Sequence, residues 1–90
     1  MLDIVLSNQF KRDLKLANKR GLDLKILSDV VDTLSQEQPL AEKYRDHELS
    51  GKYRGFRECY IEPDWLLVYR IDHGALELFL FRTGSHSDLF

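Results

Sequence analysis

The chain has 90 residues, a formal net charge of −2 and a pI of 5.9, with 43% hydrophobic and 31% charged residues. That length predicts one domain, residues 1–90, with a small core that buries about 60–65% of the unfolded surface without staples. The composition is that of a globular protein, no apolar run nears the roughly 20 residues of a membrane span, and the mild acidity argues against indiscriminate nucleic-acid binding.

Met1 to Leu6 lacks a basic n-region and a long apolar h-region, so no signal peptide is expected. Leu2–Leu6, with Ile4 and Val5, predicts a buried strand. Ser7 is a candidate N-cap for a helix from Asn8 to about Arg20, and Gly21 ends it. Phe10, Leu14 and Ala17 give this helix an apolar face. Asp23 caps a second helix that runs to about Leu34, with Leu24, Leu27, Val30, Val31 and Leu34 as its stripe. The short link makes the pair a helical hairpin. Residues 41–52 are polar and poorly periodic, which predicts an irregular segment or a short helical turn.

The second half changes character. Arg54–Ile61 alternates imperfectly, with Phe56, Glu58, Tyr60 and Glu62 on one side and Arg57, Cys59 and Ile61 on the other. Glu62-Pro63-Asp64 is a turn, Trp65–Ile71 a strand, Asp72-His73-Gly74 a hairpin turn and Leu76–Phe81 the last strand. The order β-α-α-β-β-β is an α+β pattern: a two-helix hairpin on a twisted antiparallel sheet. Cys59 stands alone and cannot form an internal disulfide, which fits a reducing, cytoplasmic setting.

Charge is unevenly placed. Residues 1–45 carry eight Lys/Arg against seven Asp/Glu, and residues 46–90 carry five against eight. Lys11, Arg12, Lys15, Lys19 and Arg20 form a basic cluster interrupted only by Asp13. Lys11, Lys15 and Lys19 share one helical face, either a solvated surface or a phosphate-contacting stripe. The tail from Arg82 to Phe90 sets a fixed cation, a group that titrates near neutrality and an aromatic ring within one short stretch.

Four blocks, taken in order, carry a family resemblance. They are Asp46-His47-Glu48-Leu49, Gly55-Phe56-Arg57-Glu58, the run from Glu62-Pro63-Asp64-Trp65 to Tyr69, and Arg82-Thr83-Gly84-Ser85-His86 to Phe90. Together they resemble the YafQ-like toxins of the RelE/ParE superfamily of bacterial toxin–antitoxin systems, over the whole chain. The resemblance implies a microbial-RNase-like fold with two helices on an antiparallel sheet. It implies a metal-free mRNA endonuclease that works in the ribosomal A site. It also implies a cognate antitoxin, with operator DNA contacted only through the antitoxin complex, and no cofactor. His47, Asp64, Trp65, Arg82, His86 and Phe90 fall at the family's functional positions. The family's frequent histidine four residues before Asp64 is Tyr60 here.

Metal-free cleavage of RNA needs a base for the 2′-OH, an acid for the leaving 5′-oxygen and a cation for the phosphate charge. Positioned acids and bases contribute about 10²–10⁴-fold each. His86 is the candidate acid, since an imidazole donates near neutrality. Arg82 is the candidate phosphate clamp. His47 or Asp64 is the candidate base, and Asp64 is alternatively a residue that orients a histidine. Lys52, Arg57, Tyr60, Trp65 and Phe90 are candidate substrate contacts. His73 lies in a turn, outside the expected site, and the three histidines match no metal-ligand spacing, so no metal is expected. The competing reading is a non-nuclease toxin of the same fold, either a gyrase poison or a degenerate corepressor.

Overall fold

The computed structural model describes all 90 residues, Met1–Phe90. Five strands form one sheet: β1 (Asp3–Leu6), β2 (His47–Glu48), β3 (Arg57–Glu62), β4 (Trp65–Asp72) and β5 (Glu77–Gly84). Their order is β1-β5-β4-β3-β2. Helices α1 (Asn8–Lys19) and α2 (Leu24–Ser35) follow β1, and a short α3 (His86–Leu89) ends the chain. This is the α+β architecture expected, with two helices on a mostly antiparallel sheet.

The helix boundaries follow from their caps. Ser7 Oγ accepts from the Phe10 N–H at 2.9 Å, and Asp23 Oδ1 accepts from the Lys25 N–H at 3.0 Å. Each removes one of the unpaired donors of a first helical turn. Gly21, with φ of 75°, makes the turn between the helices at no Cβ penalty.

Four details differ from the sequence reading. First, β1 pairs parallel to β5, with Val5 opposite Phe79. The two intervening helices carry the chain over the sheet before β5 arrives, and this long crossover permits the parallel pairing. Second, β1 is an edge strand, so Ile4 and Val5 are exposed rather than buried. Third, the segment after residue 41 holds a two-residue strand, β2, that was not expected, between two 3-10 turns, Glu42–Tyr44 and Gly51–Tyr53, that fit the expected short helical turn. Fourth, β5 continues through Arg82 to Gly84, and α3 follows where a loop was expected.

Alternation along the strands divides the core in two. On the helix side, Phe10, Leu27, Val30, Cys59, Ile61, Trp65, Leu67, Tyr69, Leu78 and Leu80 form the main cluster. On the other side, Leu66, Val68 and Leu89 pack with Leu49, Phe56, Tyr60 and Phe81. This second face carries the tail.

Asp13 joins α1 to the end of β5. β1 covers β5 only as far as Leu80, so the strand's edge is open beyond that point. The Asp13 carboxylate, on the buried face of α1, accepts from the Thr83 N–H at 3.1 Å and from Arg82 Nε and Nη2 at 2.8 and 3.2 Å. Asp13 is only 7% exposed. Removing one partner of a buried pair leaves the other charge unpaired. Asp13→Ala is therefore expected to cost about 3 kcal/mol in urea denaturation, and Asp13→Asn, which keeps an acceptor for Thr83, less. Equal stability of Asp13→Ala and wild type would refute this role.

Candidate active site

His86 is the first residue of α3, and two neighbours fix its ring. Asp64 Oδ1, in the β3–β4 turn, lies 3.1 Å from His86 Nδ1 and also accepts from the His86 backbone N–H at 3.2 Å. A carboxylate accepts here, so Nδ1 carries the proton. The Tyr60 hydroxyl lies 3.2 Å from Nε2. The imidazole is thus held at both nitrogens while about half its surface stays open to solvent. The His86 side-chain and backbone donors together hold the Asp64 carboxyl below its usual range.

The tail is braced from below. Ser85 and Asp88 form a reciprocal capping box at the start of α3. Asp88 also takes two hydrogen bonds from Arg20, at 2.7 and 3.2 Å, and these hold its carboxyl well below the usual carboxylate range. Gly84 is required by proximity: a Cβ there would stand 2.9 Å from Asp88 Oδ2 and 3.0 Å from Asp88 Cβ. Any side chain at Gly84 would push Asp88 off its cap.

His47 sits on β2, directly opposite Glu58. Its Nδ1 lies 2.7 Å from the Arg45 carbonyl oxygen, which only accepts, so Nδ1 is the donor. Nε2 faces Glu58 Oε1 at 3.6 Å. Glu58 is 5% exposed and makes no closer side-chain contact. Paired strand residues point to one face, so His47, Glu58 and Tyr60 share the face that carries His86. Diagonal neighbours such as His47 and Tyr60 are about 7–8 Å apart between Cα atoms.

Arg82 is engaged by Asp13 through Nε and Nη2, and Nη1 has no hydrogen-bond partner. Phe90 is 57% exposed and meets the Tyr53 ring edge-on, with centroids 5.4 Å apart. Lys52 Nζ lies 5.4 Å from the same Tyr53 ring. These two residues therefore border one aromatic patch.

Two expected substrate contacts are corrected. Trp65 is 2% exposed in the helix-side core, where its indole N–H donates to Thr83 Oγ1 at 2.9 Å. It cannot reach a ligand. Arg57 lies on the opposite sheet face from His86, beside Leu34 of α2, with Nε on Asp46 at 3.3 Å and Nη1 near Glu48 at 3.6 Å. Its position follows from the strand alternation, which groups it with Cys59 and Ile61. His73 lies beside Glu37, far from the tail in the pairing register. Cys59 is fully buried, and burial pushes its thiol well up, so it is packing rather than a nucleophile.

Asp13, Glu58 and Asp88 were given no site role from the sequence, although Glu58 and Asp88 lie within the motif blocks. Each had a trace in the sequence. Asp13 interrupts the basic cluster at an apolar-face position, Glu58 alternates with Phe56 and Tyr60, and Ser85-His86-Ser87-Asp88 has the spacing of a capping box.

The depressed Asp64 carboxyl has a pH consequence. A group whose folded value lies below its ordinary 3.8 contributes stability that is present above that value and is lost as pH falls through the folded one. The carbon-13 NMR shift of the Asp64 side-chain carboxyl should therefore titrate with a midpoint below 3.8, and the midpoint should rise in His86→Ala. An Asp64 midpoint at or above 3.8, or one unchanged in His86→Ala, would contradict this reading of the pair.

The sequence profile described as "Bacterial toxin of type II toxin-antitoxin system, YafQ" matches residues 2–90. The "mRNA interferase toxin YafQ" of Escherichia coli K12 is 39% identical over 89 residues, covering 98% of this chain and 95% of that protein. A metal-bound toxin from Helicobacter pylori superposes with a TM-score of 0.95 at 54% identity, with full coverage of both chains. YafQ in the E. coli DinJ–YafQ complex superposes with a TM-score of 0.90 at 38% identity, covering 100% of this chain and 99% of that one. No group of three or more His, Cys, Asp or Glu converges here as a metal ligand set. The pairs His86–Asp64 and His47–Glu58 each offer two donors, fewer than the three or four protein ligands of a resident metal site. No helix is long and apolar enough to cross a membrane. The match across nearly the whole sequence and the whole fold places this chain in the YafQ family of type II toxin–antitoxin toxins.

Proposed function

We propose that this chain is an endoribonuclease that inhibits translation by cutting mRNA on the ribosome, without a metal, through His47 as base and His86 as acid. The observation that carries the reading is the Asp64–His86–Tyr60 arrangement, in which one imidazole is oriented at both nitrogens and still half open. The nucleophile is the RNA's own 2′-OH. His47 Nε2 takes its proton, with the nearly buried Glu58 carboxylate 3.6 Å away. The 2′-oxygen bonds to phosphorus, and the bond to the leaving 5′-oxygen breaks as His86, protonated at both nitrogens, gives its Nε2 proton to that oxygen, leaving a cyclic phosphate. Asp64 keeps Nδ1 protonated and the ring in place, so it is a positioning residue rather than the base.

Charge gathers on the phosphate in the transition state. Arg82 faces it with the free Nη1, and its orientation is fixed in advance by Asp13, which limits reorganisation during reaction. Phe90 offers an exposed ring for base stacking, worth about 1–3 kcal/mol in such sites. Lys52 beside it is a phosphate contact. The exposed Lys11, Lys15 and Lys19 on α1 pair with no carboxylate and suit ribosomal RNA or an acidic antitoxin segment. The partners are thus mRNA, the ribosome and a cognate antitoxin, with operator DNA reached only through the antitoxin complex.

Tyr60 replaces an imidazole with a phenol at the acid's elbow. The hydroxyl holds Nε2 in place, and losing one such bond corresponds to about tenfold in rate. His86→Ala is expected to lower cleavage on programmed ribosomes by about 10²–10⁴-fold. Tyr60→Phe should lower it by about tenfold, and Tyr60→His should retain activity because an imidazole restores a polar partner. Unchanged cleavage by His86→Ala would overturn the acid assignment. Tyr60→Phe and Tyr60→His with identical rates would remove the role given to the hydroxyl.

A further inference from the structure

A groove of 580 Å³ opens beside the catalytic face, and apart from Tyr60 none of its lining residues was given a part in the chemistry above. Its walls come from α2, the first 3-10 turn and the end of β3, and include Ile26, Lys43, Tyr44, Arg45, Tyr60 and Pro63. The volume is that of a small-ligand site rather than a packing defect. We propose that this groove seats one nucleotide of the RNA strand, adjoining the scissile phosphate, with its base against Tyr44 and Tyr60 and its phosphate on Lys43 and Arg45. The proposal rests on the nuclease reading and adds a substrate subsite to it.

Four observations converge on a nucleotide. Tyr60 is shared: it lines the groove, and its hydroxyl meets His86 Nε2. A ligand in the groove is therefore continuous with the site of proton transfer. Arg45 is shared in the same way, since its carbonyl holds His47 Nδ1. It does so from a left-handed conformation, φ 50° and ψ 45°, which a non-glycine residue adopts at a cost and which recurs at functional sites.

Charge is the third. Lys43 and Arg45 are exposed and neither forms an ion pair, although the chain as a whole is acidic. Two carboxylates also line the groove. Asp29 is neutralised by Lys25 at 2.5 Å, and the free Glu62 suits the N–H edge of a base rather than a phosphate.

The fourth is an open strand edge. The Leu49 N–H bonds the Phe56 carbonyl, and His47 pairs with Glu58. By alternation, Tyr60 turns its N–H and C=O to the same edge. β2 stops at His47, so no strand meets them there. One donor and one acceptor side by side, beneath an aromatic ring, form a surface for a base edge.

The test uses the isotope-labelled full chain and a short single-stranded RNA with a 2′-deoxy substitution at the cut position, so that it binds without being cut. Amide shifts of Lys43, Tyr44, Arg45, Tyr60 and Glu62 are expected on titration. The Lys43→Gln/Arg45→Gln double variant should weaken binding about tenfold and reduce the magnitude of the log-affinity against log-salt slope by about 0.7, one phosphate's worth. Lys43→Gln alone gives half that change in slope if the double variant folds poorly. Shifts absent from the groove, or unchanged affinity and salt slope in the variants, would overturn the subsite. Shifts in the groove produced by the antitoxin but not by the oligonucleotide would overturn it too and assign the groove to protein. Failure of the nuclease reading shows separately, as wild-type protein that leaves ribosome-bound mRNA intact.

Discussion

The Asp13 carboxylate and the open edge of β5 set the geometry on which the rest depends. A buried carboxylate is costly to desolvate, and here four N–H donors, from Arg82, Thr83 and Gln9, offset that cost. The same contacts do three things. They satisfy a strand edge that β1 leaves uncovered, turn the Arg82 guanidinium into one orientation, and seat Thr83 where its hydroxyl accepts from Trp65 and donates to the Leu66 carbonyl. Arg20 lies seven residues along α1, close to two helical turns, and grips Asp88 in the next segment. One face of α1 therefore clamps the tail at two points, on either side of Gly84 and His86.

That clamp gives the exposed histidine its meaning. A solvent-facing imidazole on a four-residue helix would ordinarily sample several rotamers. His86 has its ring held by Asp64 and Tyr60, and its backbone held by Asp64 and the capping box. His47 is held differently, by a backbone carbonyl, and its other nitrogen faces a carboxylate. The two imidazoles thus sit in unlike settings on one sheet face. Such divergence lets two chemically identical groups take opposite roles, one accepting a proton and the other giving one. The family assignment makes RNA cleavage the reaction to test, and the chain holds a candidate for each of its acid, base and cation.

Local chemistry made much of this legible from sequence. Ser7, Asp23 and Gly21 located the helix ends because capping is a short-range interaction. Strand alternation placed Tyr60 and Glu58 on one face and Arg57 on the other, but which face holds the site was not legible, so Arg57 stood as a substrate contact until the structure showed it on the helix side. Trp65 was ambiguous because an aromatic residue at a strand start serves a core or a site equally well. Long-range pairing was not legible. Nothing near β1 shows that it lies parallel to β5, and nothing near His47 shows that Glu58 faces it. The tail helix escaped notice because four residues carry no periodicity, although its Ser85–Asp88 capping spacing was visible.

The central claim is that the RNA's 2′-OH is the nucleophile and the 5′-oxygen the protonated leaving group. The ends of the cleaved mRNA test it most directly. Direct labelling of the downstream fragment by polynucleotide kinase, with and without prior phosphatase treatment, reads the 5′ terminus. The account predicts a 5′-hydroxyl that labels without phosphatase, together with a cyclic phosphate on the upstream fragment. A 5′-phosphate, which water attack would leave, would contradict it.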